Sequence, residues 1–312
     1  MGEIGPQYSR DSAFTARTRF HQSWYRARAL GVPCGTGPTA RSRSRYGNML
    51  RGEDGERGLN FLTPRIFSVV RRRLAENRGA MEPFRLLCNM LSSQPMCFNL
   101  FGPLVEDADL ATTLLKSILP DGVARVTRVA VEDAPQPAEE YLDDRTAFDA
   151  FIEYERGDGG LAFLGVETKL SEPFLPGTYD KPAYRRWVEQ PDSPWLTETW
   201  DRVADSRHNQ LWRGHLLAVA LLHHPRSRHA AGRFALVRHA GDHECADTVA
   251  GYRRLLKPGD DSFLDLPLDH VVSAWERAAP REECRRWLAD FRLRYLDLAA
   301  SEEEWRCHRR TS

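Results

Sequence analysis

Three ionisable residues, Asp149, Glu167 and Lys169, lie in two apolar segments that flank a glycine-rich turn. The first segment reads FDAFIEY from 148 to 154, the turn is GDGG from 157 to 160, and the second segment ends in ETK at 167–169. Two such segments around a short glycine-rich turn predict a β-hairpin. Charged side chains are unusual on strands that are otherwise apolar, so chemistry is expected at this hairpin.

The register of the hairpin decides whether the three side chains meet. A loop with an odd number of residues, centred on Asp158, makes Asp149 the cross-strand partner of Glu167. Their Cβ atoms are then about 5 Å apart, and Lys169 shares their face. A two-residue loop would place the carboxylates on opposite faces. Two partly buried carboxylates this close repel unless a cation lies between them, and hard oxygen ligands suit Mg²⁺.

Lysine is rare in this chain, because the 44 basic residues include only Lys116, Lys169, Lys181 and Lys257. None of the other three lysines has an acid two residues before it. Lys169, at the end of an apolar strand, therefore indicates a need for a compact, titratable ammonium group. An ordinary strand end with a surface ion pair would use the same residues, and the spacing alone leaves both interpretations open.

Asp149 followed by Glu167-x-Lys169 on the next strand resembles the PD-(D/E)xK nuclease superfamily, which has the restriction-endonuclease-like fold. The flanking sequences SSQPMCFNLFGPL at 92–104 and ETKLSEPF at 167–174 are similar to a bacterial branch of it. The resemblance extends over roughly residues 80–240. One difference is that Phe148 stands where the family pattern has a proline before the first acid.

The resemblance implies a metal-dependent nuclease. Asp149 and Glu167, with the backbone carbonyl of Thr168, would bind Mg²⁺, for which Mn²⁺ could substitute. Lys169 would position the attacking water or stabilise charge in the transition state. Gln210, on the helix after the hairpin, would orient the site or contact phosphate, although a plain amide at a helix boundary is an equally simple interpretation. Nucleic acid, with DNA preferred, is the implied partner. A non-catalytic DNA-binding or protein-interaction module with the same fold is the alternative.

The order of elements predicted from hydrophobic periodicity is helix–strand–strand–strand–helix–strand, as the resemblance also implies. The expected fold class is thus α/β, with a mixed β-sheet flanked by helices and with helical additions at both ends. The predicted elements are helices at 61–78, from Pro83, at 110–119 and at 201–223, strands at 123–131 and 232–237, and an acidic surface linker at 132–140. The predicted domains are a basic N-terminal extension 1–80, a nuclease-like core 81–245 and a helical C-terminal extension 246–312 packed on the core.

The composition, 41% hydrophobic and 28% charged over 312 residues, is typical of a globular protein. No apolar run reaches the roughly 18 residues of a membrane span. The six cysteines have no CxxC spacing, which favours reduced thiols and a cytoplasmic location.

Charge is unevenly distributed along a chain whose net charge is zero. Residues 1–80 contain 15 arginines and 6 acidic residues. This basic segment could follow a phosphate backbone, because non-specific nucleic-acid affinity is largely electrostatic. It could equally dock on acidic parts of the same chain.

Three further groups of residues remain as hypotheses. Glu153 shares the face of Asp149 but lies four residues nearer the turn, too far to share its ion. His239, His243 and Cys245 could bind Zn²⁺, although Gly241 argues against the helix that this spacing requires. Four aromatic residues in the segment 171–200 could stack on bases, but packing against the core is commoner; they are Tyr179, Tyr184, Trp187 and Trp195.

Overall fold

A computed structural model of the chain describes residues 3–76, 81–119, 122–174, 181–197, 202 and 207–311. Two compact units make up the chain. The first contains Met1–Pro103, Leu170–Glu172 and Trp275–Ser312, and the second contains Leu104–Lys169 and Pro173–Ala274. The division into three segments predicted from the sequence stays a prediction.

Twelve α-helices and five strands lie in the part of the chain that the structure describes. The helices are α1 Ala13–Tyr25, α2 Gly52–Glu56, α3 Pro64–Ala75, α4 Pro83–Cys88, α5 Ser93–Phe101, α6 Ala108–Ile118, α7 Pro182–Val188, α8 Asn209–His223, α9 His243–Arg253, α10 Leu268–Ala278, α11 Glu282–Tyr295 and α12 Glu302–Thr311. The strands are β1 Val123–Asp133, β2 Phe148–Arg156, β3 Leu161–Lys169, β4 His229–Arg238 and β5 Phe263–Pro267.

The five strands form one mixed sheet in the order β1-β2-β3-β4-β5, flanked by helices. The pairs β1–β2 and β2–β3 are antiparallel, whereas β3–β4 and β4–β5 are parallel. Parallel neighbours need a crossover connection, and α8 and α9 lie in the two segments that provide it. The predicted α/β class with a mixed sheet is confirmed.

Glycines let aromatic rings pack tightly between α8 and the sheet. A Cβ on Gly165 of β3 would lie 2.4 Å from the Phe148 ring, and one on Gly214 of α8 would lie 2.4 Å from the Phe234 ring. Both rings belong to the buried core of the second unit. Since any side chain at Gly214 would push α8 away from the sheet, this glycine fixes how closely the start of α8 approaches β3 and β4.

Buried polar contacts join the helices of the first unit. The Arg294 side chain, in a residue 1% exposed, donates to the Asn60 carbonyl at 2.8 Å. Asn99 of α5 donates to the Tyr295 hydroxyl at 2.9 Å, and Trp287 of α11 donates to the Asn99 carbonyl at 2.8 Å. Residues from both ends of the chain therefore share one core.

The clearest departure from the sequence prediction is β5, because the segment 246–312 was expected to be helical. This strand has five residues, FLDLP, with an acid in its centre and a proline at its end. It is too short for a periodic pattern, and its pairing with β4 decides its conformation.

Several predicted boundaries were also wrong. The helix predicted at 201–223 is observed from Asn209 to His223, and its predicted first residues, 201 and 203–206, lie outside the described part. The helix that begins at Pro83 ends at Cys88, and a separate helix follows, capped by Ser92, whose side chain accepts from the Gln94 amide. The predicted linker 132–140 begins inside β1, which continues to Asp133.

The segment 171–200 contains α7, and its aromatic residues pack inward. Tyr184 and Trp187 of α7 and Trp195 are each no more than 2% exposed and belong to the core of the second unit. Core packing is therefore confirmed for these three, and Tyr179 lies outside the described residues.

In the part of the chain that the structure describes, no helix has the length and apolar character needed to cross a membrane.

Candidate active site

The hairpin register is the one that brings the predicted residues together. Ala150 pairs with Val166 and Phe151 with Gly165, so the next step along the ladder places Asp149 opposite Glu167. Alternation along β3 puts Lys169 on the same face as Glu167. Of the two registers left open by the sequence, the structure has the one with an odd-numbered loop.

Thr168 fixes the carboxylate of Asp149. The Thr168 backbone N–H and side-chain hydroxyl both donate to Asp149 Oδ2, each at 2.7 Å. Because Thr168 is fully buried, these two hydrogen bonds hold the Asp149 side chain in one orientation against the end of β3.

Gln210 connects the ammonium group with the second carboxylate. Lys169 Nζ donates to Gln210 Oε1 at 2.9 Å, and Gln210 Nε2 donates to Glu167 Oε1 at 2.7 Å. Lys169 Nζ also lies 3.4 Å from the same Glu167 oxygen and 5.1 Å from the centre of the Phe174 ring. All five residues predicted for the site therefore lie together, although their roles stay predictions.

The carboxyl group of Glu167 is in an unfavourable environment for negative charge. Its side chain is 12% exposed, and that of Lys169 is 5% exposed. Burial, followed by the negative charge of Asp149, raises the pKa of Glu167 to about 8, while Lys169 opposes this shift. One nearby ammonium group therefore does not offset the two acids, and the pair is suited to an additional cation.

Glu132 is a third acid near this site that sequence reasoning missed. It lies in β1 between the pairs Val131–Ala150 and Asp133–Phe148, hence opposite Asp149, and it is 5% exposed. Its charge also contributes to the raised pKa of Glu167. If the predicted strand 123–131 had been extended, its alternation would have placed Glu132 on this face. The acidic, proline-bearing sequence that follows Glu132 indicated a linker instead.

The donor set fits a divalent metal ion bound by few protein ligands. Among the described residues, no group of three or more His, Cys, Asp or Glu side chains could hold a metal ion. The two carboxylates of Asp149 and Glu167, with a backbone carbonyl, are the kind of set with which Mg²⁺ keeps several waters. The raised pKa of Glu167, caused first by burial and then by Asp149, supports this fit, since a bound cation would favour its charged form.

A sequence model of the PD-(D/E)XK nuclease superfamily matches residues 9–297 of the 312-residue chain. The chain belongs to this superfamily. The match extends well beyond the region 80–240 that carries the resemblance. Members of the PD-(D/E)XK superfamily are usually nucleases that act on nucleic acid and typically use divalent metal ions. No curated protein and no solved structure matches the chain.

Glu153 lies on the same face of the hairpin as Asp149 but belongs to a different cluster. The carboxylate of Glu153 lies 3.0 Å from His229 Nε2 and accepts from the Thr127 hydroxyl at 3.0 Å. The expectation that Glu153 does not share the ion of Asp149 stays a prediction.

The histidine-rich segment after β4 does not assemble a zinc site in the described part of the chain. Asp242 caps α9 by accepting from the Cys245 N–H at 3.0 Å, and His243 is the first, exposed residue of that helix. Burial, reinforced by Asp242, raises the pKa of Cys245 to about 12, which disfavours the thiolate that zinc requires.

Proposed function

We propose that this chain is a Mg²⁺-dependent nuclease that hydrolyses phosphodiester bonds in DNA. The observation that carries the proposal is the partly buried, cross-strand pair Asp149–Glu167, in which burial and the charge of Asp149 raise the pKa of Glu167 despite the nearby Lys169. A cytoplasmic location and the use of Mn²⁺ in place of Mg²⁺ belong to the same proposal.

Asp149, Glu167 and the carbonyl of Thr168 would hold the metal ion. The Thr168 N–H points toward Asp149, and in an extended strand the N–H and C=O of one residue point to the same side. This supports a Thr168 carbonyl directed toward the same carboxylate. A bound Mg²⁺ supplies Lewis-acid activation of the phosphate and lowers the pKa of water.

Lys169 is placed to act on the attacking water and on the charge that develops at the phosphate. Its Nζ is held by Gln210 and lies 3.4 Å from Glu167, so its position relative to the metal ligands is fixed before substrate binds. A preorganised ammonium group stabilises developing negative charge with little reorganisation. Gln210 is therefore a positioning residue in this mechanism.

The test compares metal binding and cleavage in matched variants. Glu167→Gln and Asp149→Asn should each reduce Mg²⁺-dependent cleavage of duplex DNA by at least about 10³-fold and abolish calorimetric Mg²⁺ binding. The control is Glu155→Gln, which alters an exposed acid of β2 that pairs with Arg125. Far-UV circular dichroism and melting curves check that each variant folds. Mg²⁺-dependent cleavage by Glu167→Gln at the wild-type rate would contradict the proposal.

A non-catalytic DNA-binding module is the second candidate, favoured by the low exposure of the Lys169 side chain, 5%. A reacting phosphate has to approach this ammonium group closely. DNA binding without Mg²⁺ binding by calorimetry, and without cleavage under any divalent metal ion, would favour the module.

A further inference from the structure

The segment 12–52 is strongly basic, because it contains eight arginines and no acidic residue. Acids from another part of the first unit compensate two of these arginines. Arg17 contacts Glu302 at 3.3 Å, and Arg28 contacts Glu304 at 2.8 Å. The interpretation that the basic segment docks on acids of its own chain therefore holds for these two.

Arg10, Arg41 and Arg43 differ from these two. The three residues are exposed, and in the described part of the chain none of their side chains forms a hydrogen bond or an ion pair. The acid next to Arg10 in sequence is Asp11, which accepts two hydrogen bonds from Arg19 instead. The positive charge of the three arginines is therefore available to a molecule outside the chain.

Backbone and ring contacts join the two segments that carry these arginines. The Gly47 N–H donates to the Pro6 carbonyl at 2.7 Å. The rings of Tyr8 and Tyr46 meet edge to face, with centroids 6.1 Å apart. Each of the three arginines lies within five residues of this ring pair along the chain, so charge and rings share one region of the first unit.

The segment 35–46 forms a hairpin whose tip carries Arg41 and Arg43. The Gly37 N–H donates to the Ser44 carbonyl at 3.0 Å, which closes the hairpin below its tip. At about 3.3 Å per extended residue, five residues reach about 17 Å from the ring pair. A nucleic-acid strand with the duplex spacing of one phosphate per about 3.4 Å places about five phosphates along that length. One bound strand can therefore contact both the rings and the arginines.

Tyr8 presents an aromatic ring to solvent in this region. It is 41% exposed, and in the described part of the chain only one other large hydrophobic residue is exposed. The Arg19 guanidinium lies 5.7 Å from the centre of the Tyr8 ring, and Tyr46 packs against it, so the ring is held in place. A fixed ring with cations beside it is the arrangement on which proteins stack the bases of single strands.

We propose that Tyr8, Arg10, Arg41 and Arg43 form a binding surface for single-stranded DNA. The Tyr8 ring stacks on a base, and the arginines contact the phosphates on either side of it. A duplex fits this surface less well, because its bases already stack on one another and only its phosphates meet the protein. The choice of DNA over RNA rests on the proposed function, since a ring and positive charge suit both.

Fluorescence anisotropy of a labelled oligothymidine strand, titrated with protein in EDTA at several salt concentrations, tests the surface without cleavage. The variant Arg10→Gln/Arg41→Gln/Arg43→Gln should bind at least about tenfold more weakly at low salt. The slope of log affinity against log salt should fall by about two, since each phosphate contact with a single strand contributes about 0.7. Should this triple variant melt early, Arg41→Gln/Arg43→Gln gives the same test with a smaller expected loss.

The control removes the same amount of charge from three exposed arginines that have acidic partners: Arg125 with Glu155, Arg286 with Glu282 and Arg306 with Glu302. The variant Arg125→Gln/Arg286→Gln/Arg306→Gln should leave affinity and salt slope within about twofold of wild type, because its acids already offset these charges. An unchanged slope in the first triple variant, or an equal loss in the control, would overturn the proposal.

A strand without bases tests the stacking at Tyr8. An abasic strand of the same length keeps the phosphates, so wild type should bind oligothymidine at least about fivefold more tightly than the abasic strand. Tyr8→Ala should lose most of this difference and keep the wild-type salt slope, whereas Tyr8→Phe should behave as wild type. Tyr8→Leu replaces Tyr8→Ala if the latter melts early. A wild-type preference for bases in both Tyr8→Ala and Tyr8→Leu would overturn the proposal.

Further probes identify the partner. A larger loss on single-stranded DNA than on duplex DNA, in both the arginine and the Tyr8 variants, supports the proposal. A loss confined to duplex DNA, to oligouridine or to anionic vesicles overturns it. Binding in EDTA needs neither metal nor cleavage. Failure of the Glu167→Gln cleavage test would therefore leave the surface standing, and an unchanged salt slope would leave the nuclease standing.

Discussion

Two partly buried acids on one face of the sheet have contrasting surroundings. Glu153 and Glu167 have side chains that are 13% and 12% exposed. The Glu153 carboxylate contacts His229 and accepts from Thr127, so each of its oxygens has a partner. At Glu167, by contrast, both Lys169 and Gln210 contact Oε1, and a second acid, Asp149, lies opposite.

The difference separates a structural acid from one suited to bind a cation. A partly buried carboxylate is tolerated where hydrogen bonds compensate for lost hydration, as at Glu153. Where burial and a neighbouring acid raise the pKa instead, as at Glu167, the charged carboxylate destabilises the fold at that position. Such positions are characteristic of functional sites, and each side of the contrast can be tested.

After the metal-binding carboxylates, the largest expected effect is at Lys169. Lys169→Met should lower kcat by about 10²–10³-fold, because one preorganised donor to a developing charge is lost, while Mg²⁺ affinity changes little. Lys169→Arg should not restore activity, since a planar guanidinium cannot replace a compact ammonium in a side-chain site 5% exposed. Single-turnover cleavage and calorimetry measure the two properties. Lys181→Met is the control, and wild-type activity in Lys169→Arg would contradict the prediction.

The second prediction concerns stability and pH without metal. The raised pKa of Glu167 means that the folded state keeps a proton which the unfolded chain loses above its ordinary pKa of 4.5. This contribution to stability is fully present below about pH 4.5 and is lost as the pH rises to about 8. Urea midpoints in EDTA should fall over this range, and Glu167→Gln should reduce the slope. Mg²⁺ at alkaline pH should stabilise wild type more than the variant; equal stabilisation would count against metal binding by Glu167.

The third prediction tests the structural acid. Glu153→Gln should lower the free energy of unfolding by about 1–3 kcal/mol, because a buried charged partner of His229 is lost. Cleavage by the folded variant should stay within about threefold of wild type, since four residues of strand, about 13 Å, separate Glu153 from Asp149. Urea unfolding and initial cleavage rates measure the two effects. A tenfold loss of cleavage without unfolding would show that the two acids are not functionally separate.

The sequence predicted the hairpin well because a hairpin depends on local features, and the roles of the side chains at its open end stay predictions. A glycine-rich turn sets the register, and strand alternation then determines which side chains share a face, as for Asp149 and Glu167. The core strands were found for the same reason. Their hydrophobic pattern is long enough to distinguish period two from the helical period.

What the sequence missed depends on pairing between distant segments. β5 is a strand because β4 pairs with it, and its five residues carry too little pattern of their own. Glu132 was assigned to a linker because local composition dominates such predictions, whereas its burial follows from where β1 ends beside β2. The acidic partners of Arg17 and Arg28 could not be predicted either, since Glu302 and Glu304 lie nearly three hundred residues away along the chain.

Gln210 gives the smallest predicted effect and separates two roles. The side-chain amide of Gln210 accepts from Lys169 and donates to Glu167. Gln210→Leu removes both hydrogen bonds, so the Lys169 and Glu167 side chains should be less well positioned. We expect kcat to fall about tenfold and KM to stay nearly unchanged. If Gln210 contacts substrate phosphate instead, KM should rise while kcat is kept. Gln190→Leu, which alters an exposed amide bonded to the Arg186 carbonyl, is the matched control. A positioning role also predicts that Gln210→Leu shifts the pH profile of kcat, because Glu167 and Lys169 then interact without the bridging amide.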